Sequence, residues 1–460
     1  QSLDFVSVRA GQAAFVANPR ETLSLGYVNS TYWLRLQVES RDRKDTSWLL
    51  ELAGLARSLD EIDAWFPEHT EGDASEWNYR HFRAGDSVPF AERSVKHHAI
   101  LFPLSLPPGK PVTLYFRIHT NGTLQIPAVL WSTSRYAELE HHNYLQEGIF
   151  YGILLVMVFY NAFIFLSVRD ASYLHYVLYL VCVLGFAISL KGVGFEYLWP
   201  EALWWNNKSN LIFAVFGVFF LLLFASSFLR TQDNFRLQEK ARYIHLSLRI
   251  LQFSSVSILP LVIFASHYVA ASALSIQYLL SVAVVIVAAS VTLKRGYTAA
   301  RYYLLAWLGV LLAVLMWVLN SFSLIDNSWI GAYSFQVGTA TQVILFSFAL
   351  ADRINLMRRD REAALKLQLS HAKRLVSMTD MFEKFVPRQF LKRIAGKGIE
   401  HIELGKAEND MISVLFADIR GFTPLSEGMT PQQLLNFLNS YFKRMDKVIH
   451  RNQGFIDKFL

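Results

Sequence analysis

Phe416-Ala417-Asp418-Ile419-Arg420-Gly421-Phe422-Thr423-Pro424-Leu425-Ser426-Glu427 follows directly on an apolar run, Met411 to Leu415. The run reads as a buried strand. One carboxylate then stands at the strand's exit, and a Gly-Phe-Thr turn comes next. That pattern suits a metal–triphosphate complex. Asp418 supplies a hard oxygen to Mg²⁺, and the turn offers backbone N–H groups to phosphate oxygens. Further along, Thr430-Pro431-Gln432-Gln433 reads as a helix start: Thr430 is a good N-cap, Pro431 suits the first helical position and Gln433 completes a capping box. Leu434, Leu438, Tyr441, Met445, Val448 and Ile449 fill one face of that helix, and Gly454 suits its stop. Phe455 to Leu460 reads as a second strand.

The order strand, turn, helix, strand around Asp418 resembles the opening of the class III nucleotide cyclase catalytic domain, an α+β fold. The resemblance implies Mg²⁺ or Mn²⁺ as cofactor, two ions in all, with ATP as substrate. It makes Asp418 a catalytic metal ligand and the Ile419 carbonyl a second ligand. The amides near Phe422 and Thr423 would hold phosphate oxygens. Lys458 falls where the family selects its base: Lys goes with adenine, whereas guanylate cyclases carry an acidic residue. Such metals lower the pKa of the attacking 3′-hydroxyl and neutralise the triphosphate. The family's active site forms between two catalytic domains, which implies a homodimer. Its second metal Asp and its transition-state Asn and Arg are expected beyond Leu460, so the chain as given lacks part of the active site. A longer adenylate cyclase is the leading reading. The alternatives are a guanylate cyclase and a non-catalytic receptor with a remnant cyclase domain.

The rest of the chain is a membrane protein by composition. Of its 460 residues 53% are hydrophobic, and the formal charge is +7. Residues 1–140 hold 14 Lys+Arg against 17 Asp+Glu, and the remainder holds 30 against 20. The basic residues flank apolar segments, as membrane topology requires, so nucleic acid is not an expected partner. Seven apolar segments follow residue 147, at about 148–168, 173–191, 211–229, 244–265, 268–293, 302–322 and 329–351. A spanning helix needs about 20 such residues. The fourth is the weakest, with His245, Arg249 and Gln252 near its start and Pro260 near its end. Alternate loops carry 11 Lys+Arg against two, Lys191 and Lys208, on the other side. By that asymmetry residues 1–147 lie outside and the C-terminus lies in the cytoplasm. The segments keep Asp and Glu out of their middles, unlike pumps and proton-coupled transporters. Asn161, His175, Asn320 and Gln342 are expected to bond between helices.

Residues 1–135 alternate apolar and polar positions in short runs, with turn signals at Pro67, Gly72-Asp73, Gly85-Asp86, Pro107-Pro108-Gly109 and Asn121-Gly122. That argues for a β-sandwich. Leu34, Leu36 and Val38 share a face, as do Trp48, Leu50 and Leu52, and Leu114, Phe116 and Ile118. Cys182 is the one cysteine, so the outer domain is held by its core alone. Tyr32-Trp33-Leu34-Arg35-Leu36, Leu114-Tyr115-Phe116-Arg117-Ile118, Gly148-Ile149-Phe150-Tyr151-Gly152, Tyr160-Asn161 and Arg169-Asp170-Ala171-Ser172-Tyr173-Leu174 resemble bacterial seven-transmembrane receptors with diverse intracellular signalling modules. The resemblance implies a jelly-roll-like outer sensor domain with a carbohydrate-like ligand, in a multi-pass protein of the bacterial inner (plasma) membrane. The ligand itself is unknown. Trp65, Trp77 and Tyr79 are aromatic candidates to stack on a sugar, but core or surface packing is the preferred reading of all three. The run Asp60-Glu61-Ile62-Asp63 is expected on a solvated face.

Arg353 to Phe385 has no Gly or Pro and is rich in helix formers. Leu365, Leu369, Ala372, Val376 and Thr379 follow a 4-3-4-3 spacing, and Leu375, Met378, Phe382 and Phe385 continue on a shifted stripe. A broken two-stranded coiled-coil seam fits that spacing. The expected organisation is an extracellular β-sandwich at 1–140, a seven-helix transmembrane bundle at 148–352, a cytoplasmic helical coiled-coil linker at 353–386 and the start of a cyclase domain at 387–460.

Overall fold

The computed structural model describes residues 4–18, 23–28, 30–41, 47–52, 59–68, 78–120, 123–229, 231, 239–321, 328–385 and 411–457. Two compact units, 1–354 and 355–460, are considered separately.

The first unit begins with a short helix, α1 (Phe5–Arg9), capped by Asp4, whose Oδ1 accepts from the Ser7 amide at 2.9 Å. The strands β1 (Leu23–Tyr27), β2 (Ser30–Val38), β3 (Ser47–Leu52), β4 (Glu61–Glu68), β5 (Asn78–Ala84), β6 (Leu101–Ser105), β7 (Val112–Thr120), β8 (Thr123–Ile126) and β9 (Ala128–Ser132) follow. They form three antiparallel sheets, ordered β2-β7-β4-β5, β6-β3-β9 and β1-β8. Period-2 alternation sends one face of each larger sheet inward. Ile62, Ala64, Phe66, Phe82, Phe116 and Ile118 from the four-stranded sheet meet Leu50, Leu52, Phe102 and Leu104 from the three-stranded one. Leu34, Leu36, Val38 and Trp48 pack partly buried against that core, as their alternation predicts. Glu51, on β3, is an exception to the apolar pattern. Its Oε2 accepts from Trp131 Nε1 at 2.8 Å, and burial raises its carboxyl pKa above the usual range.

Strand β9 passes into α2 (Thr133–Val168) through Ser132, which caps the helix. Then come α3 (Ala171–Lys191), α4 (Val193–Tyr197), α5 (Leu203–Phe228), α6 (Glu239–Ser257), α7 (Leu259–Phe264), α8 (His267–Lys294), α9 (Ala300–Ser321) and α10 (Ser328–Phe385). Among the described residues six stretches are long and apolar enough to cross a membrane: α2, α3, α5, Arg242–Phe264, α8 and Tyr333–Met378 within α10. The sixth expected segment lies in α9, whose described apolar part, Ala300–Met316, is shorter. The weak fourth segment is two helices, α6 and α7. Pro260 stands at the start of α7, where its missing N–H is tolerated, whereas inside one continuous helix it would remove a bond.

The polar residues of these segments join helices. Asn161 Nδ2 donates to Ser347 Oγ at 3.2 Å, and His175 Nδ1 lies 3.1 Å from Ser227 Oγ. Asn320 lies outside the described side chains. Tyr173, Tyr176 and Tyr179 repeat every three residues along α3, so they share a face. Their hydroxyls donate to Leu350 O at 2.8 Å, Val343 O at 2.6 Å and Gln342 Oε1 at 3.0 Å, all on α10. The same line ends in an ion pair, Arg353 Nη2 to Asp170 Oδ2 at 2.9 Å, with Arg353 buried. Asp170 also caps α3, its Oδ1 accepting from the Ser172 amide at 2.8 Å. Arg353 donates further to Ser227 O at 3.0 Å and to Ser172 Oγ.

The β-domain docks at the end of the helices where α4 meets α5. Phe90 N donates to Pro200 O at 3.3 Å, Asn206 Nδ2 to Asp86 O at 3.3 Å and Asn207 Nδ2 to Ser87 Oγ at 3.1 Å. Arg93 is buried there between the rings of Phe90 and Phe195, and that burial lowers its pKa. Its Nη1 donates to the carbonyls of His97 and His98 at 3.0 and 3.1 Å.

In the second unit the expected strands do not form among the described residues. Met411, Ile412, Val414, Leu415 and Phe416 are exposed and carry no ladder, and Phe455 to Asp457 are likewise irregular. Strand character is completed by a neighbouring strand's ladder, which an apolar run does not supply by itself. Helix α11 (Phe422–Glu427) and helix α12 (Pro431–Arg451) are present. The capping box is formed as predicted, with Gln433 N bonded to Thr430 Oγ1 at 3.4 Å and Thr430 N to Gln433 Oε1 at 2.9 Å. The helix ends at Arg451, three residues before Gly454. Gln453 takes the left-handed conformation at φ 59°, and Gly454 N closes the turn on Ile449 O at 2.9 Å.

Two outcomes follow for the first unit. Arg353→Ala leaves the Asp170 carboxylate without its buried partner and is expected to cost about 3 kcal/mol. Thermal unfolding of the chain in detergent would read this as a lowered Tm, partly recovered by Asp170→Asn in the same chain. Glu51 has the opposite sign. Because its folded pKa is raised, its stability contribution is full below about pH 4.3 and is lost as pH rises through the raised value. Glu51→Gln, which keeps an acceptor for Trp131, is therefore expected to raise Tm at pH 7 by roughly 2–4 °C. The gain should vanish in acid; a gain independent of pH would refute the charge explanation.

Candidate functional site

Asp418, Ile419, Phe422 and Thr423 lie within a single turn that leads into α11. Gly421 caps that helix at φ 72°, a left-handed conformation in which a Cβ costs energy, so the Gly at this point follows from the backbone path. The Asp418 carboxylate is exposed, and its Oδ1 accepts from the Ile419 amide at 2.8 Å. The Ile419 carbonyl accepts from the Phe422 amide at 3.1 Å. This last bond alters one expectation. The Phe422 N–H is committed to closing the turn, so it does not face outward to a phosphate. The Ile419 carbonyl keeps a second lone pair. A carboxylate and a carbonyl side by side are hard oxygen donors of the kind Mg²⁺ and Mn²⁺ take, and so fit as part of a coordination set. Lys458 lies outside the described residues.

A second candidate surface lies on the outward face of β2-β7-β4-β5. Trp65 stacks on Trp33 at 5.2 Å and on His81 at 4.9 Å between centroids. Tyr79 and Tyr115 meet edge-on at 5.9 Å. Phe5 of α1 lies flat on Trp65, at 4.8 Å with 4° between planes, and touches both tyrosines. Trp77 lies outside the described residues. Asp63 is not on a solvated face as expected: its carboxylate lies 2.9 Å from His81 Nε2, 3.2 Å from Arg117 Nη1 and 3.7 Å from Arg83 Nε. Strand alternation explains the difference, since it places Ile62 in the core and Asp63 among the charged side chains of neighbouring strands. Sequence reading did not find the role of Phe5. Nothing in a five-residue helix indicates which distant ring it will cover.

Comparison with known proteins agrees with this layout. Residues 1–132 match the family described as 7TMR-DISM extracellular 2, and residues 143–353 match the family described as 7TM diverse intracellular signalling. Residues 404–458 match the adenylate and guanylate cyclase catalytic domain. An adenylate cyclase of Anabaena cylindrica is 43% identical over 112 residues, which is 24% of this chain and 21% of that protein. The terminal-differentiation-specific adenylate cyclase of Dictyostelium discoideum is 39% identical over 88 residues, 19% of this chain and 4% of that protein. A receptor-type guanylate cyclase, Gyc76C of Drosophila melanogaster, is 31% identical over 71 residues, 15% of this chain and 4% of that protein. The chain thus spans about a fifth of the first relative's length and far less of the others. By its matched domains the chain is a membrane protein that joins 7TMR-DISM extracellular sequence at residues 1–132 and 7TM diverse intracellular signalling sequence at residues 143–353 to nucleotide cyclase catalytic sequence at residues 404–458.

Proposed function

We propose that this chain belongs to a sensor-regulated adenylate cyclase that converts ATP to cyclic AMP and pyrophosphate. The observation that carries the reading is the turn from Asp418 to Thr423, which sets a carboxylate beside a free carbonyl lone pair within cyclase catalytic sequence. Asp418 and the Ile419 carbonyl hold a divalent ion, Mg²⁺ or Mn²⁺, and the Thr423 amide is left to face phosphate. Bound metal supplies charge neutralisation and lowers the pKa of the attacking hydroxyl. Lys458 selects adenine. The 43% identical adenylate cyclase supports the choice of ATP.

The catalytic domain works as a homodimer. Leu365, Leu369 and Val376, and on a shifted stripe Leu375 and Met378, are exposed along α10, a broken seam that a second copy would cover in a two-stranded coiled coil. The loop charges orient the β-domain outward and the cyclase sequence toward the cytoplasm, where ATP is available. The outer ligand is carbohydrate-like. Trp33, Trp65 and Tyr79 offer ring faces, and the Asp63–Arg117 pair offers polar partners beside them. Phe5 covers Trp65 there and would have to leave for a sugar to stack on that ring.

The test is cyclic AMP formation by protein carrying the whole catalytic domain. Asp418→Ala is expected to lower kcat by at least 100-fold, the scale on which a preorganised charge-stabilising group acts. Unchanged activity would remove Asp418 from the metal site. Lys458→Glu is expected to impair ATP turnover. If GTP is the better substrate of the unmutated protein, the guanylate cyclase reading replaces this one. If neither nucleotide turns over, the domain is a non-catalytic remnant.

A further inference from the structure

We propose that His97, His98 and Glu140 form a binding site for one divalent transition-metal ion of the zinc type, at the junction between the β-domain and the membrane helices. The three residues come from two elements that the sequence holds far apart. His97 and His98 lie in the loop before β6, and Glu140 lies in the second turn of α2. One ligand atom from each lies within 4.8 Å of the others. Glu140 Oε1 is 2.9 Å from His97 Nε2 and 4.0 Å from His98 Nε2. Those two distances bracket the ~3.4 Å edge of a tetrahedron with ~2.1 Å metal–ligand bonds. Two imidazoles and one carboxylate are a ligand set that zinc uses, with the fourth position left to water.

Three further observations point to a cation. The first is an outer carboxylate. Glu196 of α4 places Oε2 at 3.5 Å from His98 Nδ1, with no hydrogen-bond partner of its own although buried. A metal-ligating His commonly turns its other ring nitrogen to such a carboxylate, which fixes the tautomer and leaves Nε2 for the metal. The second is rigidity. Arg93, itself buried, donates to the carbonyls of both His97 and His98, so the loop is held from behind. The third is enclosure. The side chains of His97, His98, Glu140 and Glu196 are only 9% to 13% exposed, and Tyr136 and Tyr144 pack edge-on against the imidazoles. Glu140 and Glu196 thus enclose two carboxylates with the two rings, and Glu51 adds to the field at Glu140.

Without metal the His97 ring satisfies itself locally. Its Nδ1 accepts from the Ala99 amide at 2.9 Å, so Nε2 carries the proton and donates to Glu140. Coordination through Nε2 moves that proton to Nδ1 and gives up the Ala99 bond. No proton is released in the exchange. Metal entry is thereby linked to the conformation of the turn at residues 97–99, between the β-domain and α2.

The experiment uses the chain in detergent, purified without a histidine tag, stripped by chelator and titrated with Co²⁺. The expected result is visible ligand-field absorption that saturates at one ion per chain and is displaced by Zn²⁺. His98→Ala and Glu140→Gln should each abolish it, with circular dichroism confirming that the helices are intact. His98→Ala keeps the backbone carbonyl that Arg93 holds, so the loop survives that change. Glu196→Gln should weaken binding by roughly 10–100-fold. Hydrogen exchange at the Ala99 amide should quicken on Zn²⁺ addition. His141→Ala with His142→Ala, two exposed neighbours on α2, should leave the signal unchanged. The proposal is overturned if the unmutated chain gives no saturable signal, if both His98→Ala and Glu140→Gln retain it, or if the His141/His142 variant loses it.

Discussion

The polar seam between α3 and α10 is the constraint on which the membrane unit depends. Three tyrosine hydroxyls spaced every three residues, and one buried ion pair at Arg353, attach α10 to a single face of α3. In hydrocarbon, apolar side chains gain little from meeting each other, so hydrogen bonds and close packing set which faces touch. The seam therefore fixes the rotation of α10 about its own axis.

Asp170 ties this seam to chain geometry. The same carboxylate caps α3 and pairs with Arg353, while Arg169 before it takes the left-handed conformation at φ 56° that ends α2. One short turn thus ends a helix, starts the next and grips a third. At the opposite end of the bundle Arg93 plays a comparable part. Buried between two phenylalanines, it binds the backbone of the histidine loop and holds the β-domain against α4. In both places a desolvated guanidinium is retained because its donors are spent on several acceptors at once.

Local patterns were the most legible part of the sequence. Alternation identified Leu34, Leu36, Phe116 and Ile118 as inward residues, because a strand allows only two faces. Apolar length located the membrane segments, since the bilayer sets a minimum span. The Thr430–Gln433 capping box formed as its spacing requires, because a cap is made within four residues. The buried strand expected at Met411 to Leu415 did not form, and the reason is equally physical. Strand character is completed by a neighbouring strand, which no local pattern supplies. The Phe422 amide was illegible for a related reason: whether a turn's N–H faces outward or closes on Ile419 depends on the backbone path.

By itself the sequence determined that this is a membrane protein with a β-rich domain before its helices and a cyclase-like Asp418 turn after them. These properties reside in periodicity, apolar length and contiguous motifs. Tertiary structure alone decided which residues meet across the fold: Phe5 over Trp65, Asp63 beside Arg117, Tyr176 against Val343, and His97 and His98 beside Glu140. Such pairs are separated by tens to well over a hundred positions. Their meeting is set by strand order, helix packing and loop closure, and these depend on the whole chain finding one compact arrangement rather than on any segment's own preference.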